Sequence, residues 1–327
     1  MLNKLKAVRD KILKMHEVRE GNFYYYTSFK GFVSMCQGAY SKKQEAESVN
    51  PSLSSRPFYP DFFCFDADTF NDPREGKVLL ELSEHSGNDS LRGLLSKVYK
   101  DDEIDKKPFS PPQVVFVGCL VSDRVGDLTI WGKKSLKKNI DYDYIDDQLP
   151  MWRDYADKGK GVCLGVKIKS SDGIPVYRVS YDERDQLMAI DAICSVLRDI
   201  NPANIAKFGL EIREVIDPIR FLYKSKEHSY ENEARVIIPC SLKKGRCKYS
   251  IELFKKDPSD PTSYRLYIAL KDFFFKNGGT ITVGPAFDES DYIFNKMVIV
   301  KQVHYWLEKL NLSGKVEVST SRYSIRF

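Results

Sequence analysis

The sharpest local pattern is Lys224-Ser225-Lys226-Glu227-His228-Ser229-Tyr230-Glu231-Asn232-Glu233-Ala234-Arg235-Val236-Ile237-Ile238-Pro239, in which two carboxylates and a guanidinium alternate at Glu231, Glu233 and Arg235. A strand starting near Tyr230 would place Glu231, Glu233 and Arg235 on one face, because strand side chains alternate with period two. Two carboxylates at this spacing repel, which favours a raised pKa on one of them unless Arg235 compensates. Such a pair at a strand entrance suits proton handling or stabilisation of a cation. The same spacing also fits a solvated strand face with an ordinary Glu–Arg pair. A second group is Phe23-Tyr24-Tyr25-Tyr26-Thr27-Ser28. As a strand it places Phe23, Tyr25 and Thr27 on one side and Tyr24, Tyr26 and Ser28 on the other. Phenol rings offer a stacking surface with a hydrogen-bonding tip, which suits a nucleotide or a nicotinamide ring. A core strand with satisfied hydroxyls reads the same way.

The elements that must hold these groups are partly legible. Residues 2–19 place Leu2, Leu5, Val8, Ile12 and Met15 at helical spacing with Lys and Arg between them, an amphipathic helix with a solvated basic face. A short helix follows the tyrosine strand through Phe32, Val33 and Met35 and ends near Gly38. Residues 41–57 read as a mobile polar loop, and Phe62 to Glu75 as aromatic and turn-rich. A helix is predicted over 90–99. Val114 to Val121 is a continuous apolar run that suits a strand buried on both faces. A polar insertion follows near 123–148. Trp152 and Tyr155, at i, i+3 spacing, predict core packing on one helix face. Strands are predicted at 161–166, 234–239, 280–283 and 316–319, and helices at 186–200, 203–216 and 291–312. This irregular interleaving predicts an α+β fold with a mixed or split sheet and flanking helices rather than a doubly wound sheet. The domain organisation is an N-terminal amphipathic helix over 1–20 and a single catalytic-type domain over 21–327, with insertions near 41–57 and 123–148.

Composition narrows the classes. The chain has 327 residues, 42% hydrophobic and 30% charged, with 51 Lys plus Arg against 46 Asp plus Glu, a net charge of +5. The longest uncharged apolar run, Gln113 to Ser122, is far short of the roughly 18 to 20 residues that span a bilayer, so no membrane role is expected. With 19 Phe, 19 Tyr and 3 Trp the chain is too aromatic for a disordered tail. Its 7 cysteines are scattered without a CxxC pair, which predicts a reduced, cytoplasmic protein rather than a disulfide scaffold. Segment 126–134 misses the spacing of a phosphate loop, Leu164 replaces the third glycine of a dinucleotide fingerprint, and GxSxG is absent. The four histidines, His16, His85, His228 and His304, have no metal-ligand spacing, so no metal is expected.

From Phe23 to its last residue the chain resembles a large bacterial family known only as a domain of unknown function. The resemblance rests on Tyr24, Tyr26, Thr27 and Ser28; on Phe70, Asn71, Asp72, Pro73 and Glu75; and on a buried strand ending at Ser122. It continues with Met151, Trp152, Tyr155, Ala156 and Lys160 to Cys163, then Lys226, Tyr230, Glu231, Glu233 and Arg235, and ends with Gly284-Pro285, Ser321 and Arg326. Tyr25 stands where relatives usually carry His, and His228 where they usually carry Trp. The order of the aromatic strand, the strand ending in Ser and the Glu-x-Glu segment more distantly resembles ADP-ribosyltransferases.

That second resemblance implies a function. Breaking the nicotinamide–ribose bond of NAD passes through an oxocarbenium-like state, as in glycoside hydrolysis. Glu233, with Glu231 beside it, would stabilise that cation, hold a ribose hydroxyl and accept the attacking group's proton. Tyr25 and Thr27 would hold the ribose and the nicotinamide amide, and Tyr26 would stack on a ring. Arg235 would orient Glu233 or reach the pyrophosphate. Ser122 and Asn71 complete the expected NAD site. The resemblance implies a toxin or phage-defence effector that modifies nucleic acid, slightly preferred, or protein, with an antitoxin as a partner. Lys133, Lys134, Lys137 and Lys138 would guide a polyanionic target. The rivals are a metal-dependent nuclease using Asp72, Glu75, Glu231 and Glu233, and a binding or sensing module without chemistry.

Overall fold

The computed structural model of the chain describes residues 2–69, 76–85, 95, 98–99, 113–123, 147–198, 202–242, 247–255, 264–287 and 295–323. It opens with α1 (Leu2–His16), β1 (Glu17–Val18), β2 (Gly21–Ser28), α2 (Phe29–Val49), β3 (Phe62–Asp66) and α3 (Val78–His85). The middle holds β4 (Gln113–Ser122), α4 (Leu149–Tyr155), β5 (Gly161–Ile168), β6 (Val176–Arg178), α5 (Glu183–Arg198) and α6 (Pro202–Arg220). The last part holds β7 (Glu233–Ser241), β8 (Ile251–Lys255), β9 (Tyr264–Leu270), β10 (Gly279–Val283), α7 (Lys296–Lys309) and β11 (Val316–Thr320). The fold is α+β, with a mixed, open sheet and flanking helices.

Among the described residues all strands join one sheet, in the order β1-β6-β7-β4-β2-β5-β10-β11, with β3, β9 and β8 attached through β4. Among the described strands only β10 and β11 pair in parallel. Both faces are covered. Phe116, Leu164, Val236 and Ile281 pack with Phe32 and Cys36 of α2 and Ile299, Val303 and Leu307 of α7. On the other side Val115, Val117 and Ile237 pack with Leu5 and Ile12 of α1, Ile190 and Ile193 of α5, and Ile216 of α6. Burial of alternate residues on opposite faces explains the unbroken apolar runs of β4 and β7.

One irregularity makes the site. β4 pairs with β7 along its length, but with β2 only at Phe23 opposite Ser122 and Tyr24 opposite Val121. Further along the same edge β3 takes over, with Phe65 opposite Val117. Between them, residues 118–120 have no strand partner on that edge among the described residues. After Tyr24, β2 stays with β5 down to Ser28 opposite Gly161. The sheet therefore opens between β2 and β4. At Gly161 a Cβ would run into the Thr27 carbonyl and lie 2.9 Å from Ala156 Cβ, so glycine lets the two strands stay close at the mouth of the opening.

Several expectations are corrected. Residues 41–49 continue α2 instead of forming a loop, because Lys42 to Glu47 are helix formers, and Gly38 lies inside the helix without ending it. The helix stops only where Asn50 caps the turn that starts at Pro51. The aromatic stretch after Pro60 forms β3, its Phe62 and Cys64 buried in the core. β8 and β9 had no periodic signal. Cys240 and Cys247 are joined in a disulfide, so the expectation of a fully reduced chain fails for this pair. Cys36, Cys64, Cys119, Cys163 and Cys194 are unbridged. Of the helix expected over 90–99, only Leu95, Val98 and Tyr99 are described, and all three are helical. Most of the 123–148 insertion, with its four lysines, lies outside the described residues. No described helix is long and apolar enough to cross a membrane.

The N-terminal helix is docked by a buried histidine. His16 Nδ1 lies 2.7 Å from the Arg178 carbonyl, which can only accept, so Nδ1 carries the proton. Nε2 is buried and finds no partner among the described residues. Burial lowers the His16 pKa from 6.5 to about 4, opposed by the bond to Arg178. A depressed folded-state pKa means that the unfolded chain binds the extra proton first. His16 therefore contributes stability that is full above pH 6.5 and lost as pH falls towards 4. The expected loss is about 3 kcal/mol over that window. Urea unfolding at several pH values should show this limb in the native chain and a flatter one in His16→Gln; identical limbs would refute it.

Candidate active site

A cleft of about 630 Å³ occupies the opening between β2 and β4. Its walls are Tyr24 to Ser28 of β2, Cys119 to Val121 of β4, Met151 and Tyr155 of α4, Arg265 of β9, and Lys224, His228, Glu231 and Glu233. Cross-strand partners share a sheet face. Tyr24 is opposite Val121 and Val121 opposite Glu233, so these three form a row on one face. Tyr25 and Thr27 belong to the other face by alternation and reach the cleft where β2 leaves β4.

The acidic segment is built differently from the expected strand. Residues Lys226–Glu231 form a short 3-10 helix, and Asn232 turns the chain in the left-handed region at φ 42°, which Asn tolerates better than most residues. The turn is stapled to the end of β4: the Ser122 N–H donates to the Asn232 carbonyl at 2.9 Å, and Asn232 Nδ2 donates to the Ser122 carbonyl at 2.6 Å. Only then does β7 begin. Glu233 and Arg235 share a strand face as expected, but Glu231 reaches Glu233 through the turn and not by alternation.

Two cations answer the two carboxylates. Arg235 holds Glu233 with a fork, Nε to Oε1 at 2.9 Å and Nη2 to Oε2 at 2.7 Å. Its Nη1 donates to the Phe221 carbonyl at 2.9 Å. Lys224 Nζ lies 2.6 Å from Glu231 and 3.6 Å from Glu233. Glu231 also accepts from the Tyr155 hydroxyl at 2.9 Å and lies 3.2 Å from His228 Nδ1. The Glu233 N–H donates to the Tyr181 hydroxyl at 3.0 Å. Burial alone would raise the Glu233 pKa, but the charges of Arg235 and Lys224 and a hydrogen bond with Cys119 bring it well below the usual carboxylate range. Repulsion between the acids is thus compensated, and Glu233 is ionised at neutral pH. Lys224 stays charged: burial opposes it, but Glu233 and Glu231 raise its pKa. Burial, reinforced by Glu231 at Tyr155 and by Glu233 at Tyr181, keeps both phenols protonated.

On the β2 wall, the Tyr25 ring packs against Phe62 and Phe274 at 5.5 and 5.6 Å between centroids. Burial pushes its pKa up to about 12 despite a hydrogen bond with Thr27. Tyr26 presents its ring edge-on to Trp152 at 5.0 Å, and its hydroxyl accepts from the Gln148 N–H at 3.1 Å. The structure therefore brings Tyr25, Tyr26, Thr27, Glu231 and Glu233 to one cleft. Arg235 is fully buried behind Glu233, whose carboxylate it holds, and does not line the cleft. Ser122 is buried beside the cleft and does not line it. Asn71, Asp72 and Glu75 lie outside the described residues, as do the four lysines from Lys133 to Lys138.

The sequence pattern contains Lys224 and His228 but assigns them no role, and sequence reasoning does not place Tyr155 or Cys119 at the site. Trp152 is core, as expected, but Tyr155, three residues on, points to the acids. Among the described residues no group of three or more His, Cys, Asp or Glu is arranged to hold a metal ion.

Fold and site define an α+β protein with an ionised acid–base cluster in a gap of its sheet. Residues 151–236 match a family described as a protein of unknown function (DUF2971). The matched segment carries Tyr155, Lys224, His228, Glu231, Glu233 and Arg235; the β2 and β4 walls lie outside it. No curated protein and no solved structure matches the chain.

Proposed function

We propose that the chain is an NAD-dependent ADP-ribosyltransferase. The observation that carries this reading is a cleft bounded on one side by hydroxyl-bearing aromatic residues and on the other by a buried carboxylate held ionised. Loss of nicotinamide leaves positive charge on the ribose, and a fixed anion already in place stabilises that charge without reorganising. Glu233 supplies it, and Arg235 fixes its orientation. Tyr25 and Thr27 offer hydroxyls to the ribose and the amide, while Tyr24 and Tyr26 share the Glu233 face. The cavity is within the range of small-molecule sites.

The acceptor in this reading is nucleic acid or protein, with nucleic acid favoured by the net charge of +5. Such an enzyme acts where NAD is abundant, in the cytoplasm, and as a toxin or defence effector it would be restrained by an antitoxin. The test is incubation of the purified chain with labelled NAD and RNA, DNA or cell protein. Label transfer with nicotinamide release is the expected result. Strand cleavage that needs magnesium and ignores NAD would overturn it in favour of a nuclease.

A further inference from the structure

Glu233 answers only half of what transfer requires. An attacking hydroxyl must lose its proton, and a carboxylate gripped by both arms of a guanidinium fork and held far below neutral in its affinity for protons is a poor acceptor. Lys224, bound to Glu231 at 2.6 Å, is charged and has no lone pair to offer. The Tyr155 phenol donates to Glu231. Among the cleft-lining groups, His228 differs from all of these.

His228 lines the cleft, and its side chain is 37% exposed, whereas Glu231 beneath it is 4% exposed. The Nδ1–Oε1 separation is 3.2 Å. Glu231 already accepts from Lys224 and Tyr155, which fits an ionised carboxylate, and an ionised carboxylate can only accept. His228 Nδ1 must then carry the proton, which leaves the Nε2 lone pair of the neutral ring as an acceptor. Imidazole is the side chain suited to proton transfer near neutral pH, and an anion on its far nitrogen fixes the tautomer and stabilises the imidazolium that forms.

We propose that His228 and Glu231 form a proton-accepting dyad that activates an acceptor hydroxyl, so that the transferred ribosyl group is delivered to oxygen. The proposal rests on the reading of the cleft as an NAD site. In the step, the hydroxyl oxygen forms a bond to the ribose C1″ as the C1″–N bond of NAD breaks. That bond's electron pair stays on nicotinamide, which leaves neutral, and the hydroxyl proton passes to His228 Nε2. Glu233 remains ionised throughout and faces the ribose, so charge stabilisation and proton removal fall to different residues.

Two measurements on the full chain test this. In ¹⁵N-histidine NMR spectra recorded without NAD, neutral His228 should be the Nδ1–H tautomer; an Nε2–H tautomer overturns the dyad whatever the substrate is. The second measurement follows nicotinamide release and methyl-riboside formation from NAD in water containing methanol, with water and methanol as the hydroxyl probes. His228→Asn keeps a donor near the Nδ1 position and removes the base. It should lower both products by about 10²- to 10⁴-fold while NAD affinity by calorimetry stays within about threefold. Rates within about threefold of the native chain, with NAD still cleaved, overturn the dyad and leave the NAD reading standing. No nicotinamide release from the native chain in the presence of water, methanol, RNA, DNA or cell protein overturns the NAD reading, and with it the assignment of the dyad to ribosyl transfer.

Discussion

Glu233→Gln should lower NAD-dependent transfer by about 10²- to 10³-fold, the loss seen when a preorganised electrostatic contact to a transition state is removed. Glutamine preserves the volume and one accepting oxygen but carries no charge, so the effect isolates the anion. The size follows from the setting. Glu233 is buried and already ionised before substrate arrives, so its stabilisation of a developing cation costs no proton loss and little reorientation. An effect confined to charge development should appear in the rate of nicotinamide release and leave NAD affinity nearly unchanged. Glu233→Asp keeps the charge but retracts it from the cleft, and should fall between the two. Because glutamine also leaves Arg235 and Lys224 undercompensated, urea unfolding of the variant must accompany the kinetics. A folded Glu233→Gln chain that releases nicotinamide at more than a third of the native rate would remove Glu233 from the mechanism.

The parts of this site that were legible in the sequence are those whose geometry is local. Glu233 and Arg235 are two residues apart in a strand, and period-two alternation is enough to put them together. The tyrosine strand, the buried run of β4 and α5 follow from periodicity in the same way. Glu231 comes close to Glu233 by a different route from the alternation that its spacing predicts. The αL conformation at Asn232 replaces the first turn of the supposed strand, and an asparagine between two glutamates was the signal available for it. Tyr155 and Lys224 were hidden for another reason. They meet Glu231 across 76 and 7 residues of chain, and no periodicity encodes where a helix after an insertion will dock. Residues 41–49, expected as part of a loop over 41–57, show the opposite failure, in which Ser and Pro at the ends of that stretch outweigh a run of good helix formers between them. The opening of the sheet was invisible for a topological reason: it depends on β2 and β3 sharing one edge of β4, which is a matter of pairing between distant segments.

Arg235→Met should destabilise the fold by about 3–5 kcal/mol, the cost of leaving a buried charge without its partner. Arg235 is fully buried and Glu233 nearly so, and the remaining cation, Lys224, is 3.6 Å away and more closely bound to Glu231. Loss of the guanidinium also strands the Phe221 carbonyl. Removing both charges, as in Glu233→Leu with Arg235→Met, should recover most of the loss, because apolar groups of similar volume can replace a buried ion pair at little cost. Additive losses in the double-mutant cycle would show that the two side chains do not act as a unit. The pH dependence supplies an independent reading. Glu233 has its folded-state pKa depressed from 4.5 to about 2, by Arg235 and Lys224 acting against burial. Its contribution is therefore full above about pH 4.5 and lost as pH falls towards 2. Without Arg235 burial is opposed mainly by Lys224, the folded-state pKa rises, and protonation relieves the stranded charge. The stability gap between the native chain and Arg235→Met should accordingly narrow as pH drops below 4.5. A gap that stays constant down to the acid unfolding limit would mean that Arg235 stabilises the sheet through packing and its bond to Phe221, and that the low proton affinity of Glu233 has another source.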